Sequence, residues 1–76
     1  MRKIYFDKAL QILKRTDVHL IVFRDSDCGT LRDTDGDEYG DLSRNMVGKL
    51  IEEKKVYFIA NGSGLLDHER YYKLNK

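Results

Sequence analysis

Residues 18–23 read VHLIVF, a nearly continuous apolar run rich in β-branched and aromatic side chains. A run this short suits a buried strand, and its composition favours one. The segments around it change period. Between Tyr5 and Arg15, the residues Phe6, Ala9, Leu10 and Leu13 recur at the i, i+3, i+4, i+7 spacing of one helical face, with Ile12 and Tyr5 beside it. This predicts a first helix. An alternative start makes Lys3 to Phe6 a short strand, with Asp7 capping a helix that begins at Lys8. A second helical stripe, Met46, Val47, Leu50 and Ile51, follows Leu42, with Asp41 or Ser43 as N-cap. Lys54 and Lys55 suit its C-terminal end, where cations meet the negative end of the helix dipole. Val56 to Ala60 then reads as a strand, Asn61 to Gly64 as a loop, and Glu69 to Leu74 as a closing strand.

Between Phe23 and Asp41 lies the stretch FRDSDCGTLRDTDGDEYGD. Its seven acids (Asp25, Asp27, Asp33, Asp35, Asp37, Glu38 and Asp41) stand against Arg24 and Arg32, a balance of −5. The remaining twelve bases and six acids give +6, so the net charge of +1 conceals two regions of opposite sign. Asp35-Gly36 is a strong turn signal and predicts a two-residue type I′ hairpin with arms Thr30–Thr34 and Asp37–Leu42. Only Leu31, Tyr39 and Leu42 in those arms can pack, which places the hairpin at an edge or partly in solvent. The expected fold is a single α+β domain over residues 1–76, two helices on a small, mainly antiparallel sheet, in the order α-β-β-β-α-β-β. Its core is expected to draw on Leu10, Leu13, Ile21, Phe23, Val47, Leu50, Ile51, Phe58 and Leu74.

The acidic stretch fails the tests for specific chemistry. Counted as an EF-hand loop from Asp33, it has ligands at positions 1, 3 and 5, but Glu38 takes the glycine position and Arg44 that of the bidentate glutamate. LIVFRDSDCGTL resembles the first motif of haloacid-dehalogenase-like phosphatases over about a dozen residues. In that comparison Cys28 is inserted between the second Asp and the Gly, and 76 residues are too few for that family's core. Cys28, His19 and His68 match no compact zinc spacing, and no base and orienting group can be assigned to the cysteine. The Asn61–Gly64 loop lacks the lysine and flanking helix of a phosphate-binding loop. No metal site, cofactor or enzymatic activity is expected.

The C-terminal half, DLSRNMVGKLIEEKKVYFIANGSGLLDHERYYKLNK, resembles the recognition helix and β-wing of winged-helix DNA-binding proteins. The resemblance implies that Arg44, Asn45 and Lys49 lie on the solvent face of the helix, where Arg and Asn pair with base edges and Lys meets phosphate. It also implies backbone contacts from Arg70, Lys73 and the wing. A winged helix has another helix packed just before the recognition helix, and here that place holds DTDGDEYGD. The competing expectation is a non-enzymatic interaction or inhibitory factor, of the kind found in phages and mobile elements, that docks on a protein through Asp33, Asp35, Asp37, Glu38 and Asp41. Leu65 and Leu66 are adjacent in a polar loop, so one is expected to stay exposed. One cysteine and no long apolar run point to a cytoplasmic chain with no membrane contact, while the resemblance implies DNA, and the acidic hairpin a protein, as partner. Homodimerisation is one route by which small domains gain stability, and the sequence leaves the oligomeric state open.

Overall fold

The computed structural model describes residues 4–75. It contains α1 (Phe6–Leu13), β1 (Val18–Phe23), β2 (Gly29–Asp33), β3 (Glu38–Leu42), α2 (Arg44–Glu52), β4 (Val56–Asn61) and β5 (Glu69–Leu74), with a short 3-10 turn at Gly64–Leu66. The expected α+β class and element order are present. All five strands form one antiparallel sheet in the order β3-β2-β1-β5-β4. The most apolar strand, β1, is therefore central, paired with β2 on one side and β5 on the other.

Alternation along β1 separates the two faces of the sheet. Val18, Leu20 and Val22 join one buried cluster with Ala9 and Leu13 of α1, Val47 and Leu50 of α2, and Leu31, Leu42 and Val56. Both helices thus lie on the same face, and α2 crosses from the β3 edge to the β4 edge. Their neighbourhood is direct, since the Lys49 ammonium sits 4.5 Å from the centre of the Phe6 ring. His19, Ile21 and Phe23 take the opposite, helix-free side. The expected core changes accordingly. Ile21 is buried but on the far face, and Leu10 and Leu74 only border the cluster. Ile51 and Phe58 are 39% and 48% exposed, because two helices do not reach across all five strands.

Helix α1 starts at Phe6 with Tyr5 as a cap that makes no side-chain bond, so Asp7 is a first-turn residue and no cap. The alternative strand begins at Lys3, outside the described residues, and within them Ile4 makes one N–H bond to the Asp41 carbonyl. Ser43 caps α2 by accepting from the Met46 amide at 3.2 Å. At the other end Lys54 adopts φ 58°, and the Lys54 and Lys55 amides donate to the Ile51 and Leu50 carbonyls, a Schellman closure that turns the chain into β4.

The β2–β3 connection corrects the expected hairpin. Its arms are Gly29–Asp33 and Glu38–Leu42, and in the loop between them only Gly36 has positive φ. A three-residue loop is closed by the Gly36 amide on the Asp33 carbonyl and the Asp33 amide on the Asp37 carbonyl, both at 3.0 Å. The Asp33 carboxylate accounts for the change, because it accepts the Asp35 and Asp37 amides at 2.9 and 3.0 Å. A side chain mimicking a backbone turn replaces the type I′ geometry.

Candidate interaction surfaces

The acidic stretch divides among three places. Asp25 and Asp27 occupy the turn between β1 and β2, Asp33, Asp35 and Asp37 surround the turn at the other end of β2, and Glu38 and Asp41 sit on the edge strand β3. Asp33 is buried and committed to its own loop, with its second oxygen accepting from the Tyr39 hydroxyl at 2.8 Å. That bond, the Asp37 and Asp35 amides and the Arg15 charge hold its carboxyl below the ordinary 3.8, against the opposing effect of burial. A depressed folded-state value means a contribution to stability present above 3.8 and lost as pH falls through the folded value. Asp33→Asn is therefore expected to be less stable than the parent at neutral pH, with the gap closing in acid below 3.8. Urea midpoints at both pH values check this, and a gap independent of pH would assign the loss to geometry instead of charge. Among the described residues, no group of three His, Cys, Asp or Glu side chains is placed to hold a metal ion.

On the helix-free face, Arg32 reaches both oxygens of buried Glu69 at 3.4 Å and one oxygen of Glu38 at 3.4 Å. The Tyr71 hydroxyl donates to Glu69 at 3.0 Å, and burial together with that bond pushes the phenol up from its ordinary value. Next to this network is a depression of about 370 Å³ lined by His19, Ile21, Arg32, Ile59, Tyr71 and the 33–36 turn. Burial, then the charge of Lys73, lowers His19 from its ordinary value. With Arg32 facing two carboxylates, the face is not basic. His19 and Cys28 lie toward opposite ends of the β1–β2 ladder, so the structure does not assemble them into a nucleophile and base.

The five residues expected to meet nucleic acid separate into groups. Arg44, in the first turn of α2, and Arg70, on β5, share a cleft of about 280 Å³ with Asp27, Gly48 and Ile51. Arg70 pairs with Asp27 at 3.5 Å, while its Nε is buried without a hydrogen-bond partner. Asn45 is exposed beside Arg44. Lys49 leans onto Phe6 toward α1, away from the cleft. Lys73, at the other end of β5, donates to the Arg15 and Val18 carbonyls and ties β5 to the turn after α1. Strand β3 occupies the position directly before α2.

The surface that sequence reasoning missed is β4. It forms one edge of the sheet, and after buried Val56 its residues Tyr57, Phe58 and Ile59 are 49%, 48% and 45% exposed. A bulge at Ile59 sets Tyr57, Ile59 and Ala60 toward the helix-free side, while Phe58 packs edge-on against Tyr72 on the helix side, with ring centres 5.6 Å apart. Beyond its end, Leu65 is 95% and Leu66 46% exposed, so both adjacent leucines face solvent. The opposite edge, β3, carries Glu38 and Asp41. Charge protects one edge from strand addition, and the other has no charged residue between Val56 and Asn61. Among the described residues, no helix is long and apolar enough to cross a membrane. No protein-family model, curated protein or solved structure matches this chain.

Proposed function

We propose that this chain is a protein-interaction module that receives an extended strand along β4. The observation that carries this reading is the run Tyr57-Phe58-Ile59, three consecutive large apolar residues half exposed on a free sheet edge. Strand addition gives affinity through main-chain hydrogen bonds and specificity through alternate side chains, and β4 offers apolar groups to both faces of an added strand. The reading keeps the interaction-protein class expected from the sequence and moves its surface from the acidic hairpin to the opposite edge. Glu38 and Asp41 act as charges that keep a second strand from β3, with Asp35 and Asp37 in the adjoining turn.

The second reading, nucleic-acid binding in the manner of a winged helix, is favoured by one observation, the unpartnered Arg70 Nε in a cleft with Arg44. A phosphate there would take hydrogen bonds from two guanidinium groups near the N-terminus of α2, with Asn45 alongside. Asp27 in the same cleft competes for Arg70, which is why this reading ranks second.

A single set of backbone-amide NMR titrations separates the two. A short peptide of alternating Val and Thr is expected to slow hydrogen exchange at residues 56–61 and leave residues 44–48 unchanged. A random DNA duplex at low salt is expected to produce no shifts. Salt-sensitive DNA shifts at Arg44, Asn45 and Arg70, with β4 amides indifferent to the peptide, would replace the first reading by the second.

A further inference from the structure

We infer that the strand received by β4 is the β4 of a second copy, two chains pairing antiparallel about a two-fold axis at Phe58 to form one continuous ten-stranded sheet. This rests on the strand-addition reading above and names its partner. A two-fold contact must be self-complementary, because each residue i that meets j is matched by j meeting i. Strand β4 satisfies this. With Phe58 opposite its own copy, Tyr57 falls opposite Ile59, and both side chains of that pair lie on the helix-free side. The Phe58 rings meet on the helix side, where Ile51 is also left half open. Apolar groups therefore close on both faces of the junction, as cross-strand pairing requires.

The flanks fit the same arrangement. Antiparallel pairing brings the start of each β4, with Lys54 and Lys55, against the residues that follow β4 in its partner. Those residues form the 62–67 loop, whose exposed groups are Leu65, Leu66 and Asp67. Lys55 falls opposite Asn61 and Lys54 opposite Gly62, so no like charges oppose one another along the strand. The bulge at Ile59 confines regular pairing to the residues around Phe58, and beyond it the contact passes from strand to loop. A head-to-tail contact would instead set β4 against the acidic β3 edge and leave a free β4 to propagate. The two-fold contact uses both unprotected edges and leaves only the two β3 edges, each carrying Glu38 and Asp41, at the ends of the sheet.

Sedimentation equilibrium of the intact chain from micromolar to near-millimolar concentration tests this. The weight-average mass is expected to rise to twice that of the monomer and stop there. Phe58→Lys, at a position already half exposed, is expected to remain monomeric with an unchanged circular dichroism spectrum. A parent chain that stays monomeric at every concentration overturns the inference, as does a mass that rises past the dimer, or a Phe58→Lys chain that is folded and still dimeric. If the parent is monomeric while the Val/Thr peptide still protects residues 56–61, the strand-addition reading stands and only the identity of its partner falls. If the peptide also fails, both fall together.

Discussion

Replacing Arg32 by Met is expected to lower the unfolding free energy by about 3 kcal/mol, the low end of the range for breaking a buried ion pair. The loss comes from Glu69, whose side chain is 4% exposed on the helix-free face. With the guanidinium gone, that carboxylate keeps the Tyr71 hydroxyl at 3.0 Å and a more distant His68 at 3.9 Å, and it loses the one Lys or Arg side chain that pairs with it among the described residues. The low end of the range applies because Arg32 itself is 24% exposed and its contacts are long at 3.4 Å, so water screens part of the pair. Removing the stranded charge as well, in Arg32→Met with Glu69→Gln, is expected to recover roughly half of the loss, since an uncharged amide costs less to bury than an unpaired carboxylate. Guanidinium denaturation of the single and double variants measures both. A single-variant loss below about 1 kcal/mol would mean that the carboxylate rotates to water at little cost. The network would then be a surface feature and not part of the frame that holds β2 and β5 on either side of β1.

The order of elements was legible because period and turn chemistry agree over most of the chain. The stripes at Phe6–Leu13 and Met46–Ile51 could only be helical, and the strands at Val18–Phe23 and Glu69–Leu74 fall at the boundaries that their composition suggests. Which side of each strand faces the helices was harder to read. In VHLIVF both alternating sets are apolar except at His19, and that histidine marks its own set, residues 19, 21 and 23, as the helix-free one. Ile21 is buried as expected but on that face, and Phe23, at its end, is only partly buried. The turn at Asp35-Gly36 was located correctly and mistyped, because a sequence rule for two-residue turns does not register a carboxylate two positions upstream that captures two amides.

Surface properties were the least legible, since they depend on strand order, which local patterns do not encode. Phe58 and Ile51 look like core residues in any window of the sequence. They are half exposed only because β4 is the last strand and α2 reaches it with its C-terminal end. The five residues expected to bind nucleic acid looked like one face for the same reason. Along the chain Arg70 and Lys73 are three positions apart, yet one lies in the Arg44 cleft and the other anchors the turn after α1.

Gly62→Ala is expected to cost about 2 kcal/mol, within the range for forcing a group into a filled site, and to move a loop instead of a side chain. A Cβ at this position would lie 2.0 Å from the Leu66 carbonyl oxygen and 2.9 Å from its carbon, and neither backbone atom can yield without shifting residues 63–67. The Gly62 amide meanwhile donates to the Glu69 carbonyl at 2.8 Å, which fixes the loop's departure from β4 to its return into β5. The 3-10 turn at Gly64–Leu66 is thus folded back over Gly62, and this closure holds Leu65 outward. Amide resonances of the variant should shift between residues 59 and 70 and remain in place in α1, β2 and β3. If the shifts are absent and the denaturation midpoint is unchanged, the loop does not close over Gly62. If they appear as expected, the same variant examines the self-pairing of β4 from a second direction. It keeps the side chains of Tyr57, Phe58 and Ile59 and displaces chiefly the loop that would face Lys54 and Lys55 of the second copy. A dimer weakened by Gly62→Ala with the Tyr57 and Phe58 resonances in place would show that the contact extends past the strand into the loop, as the two-fold register requires.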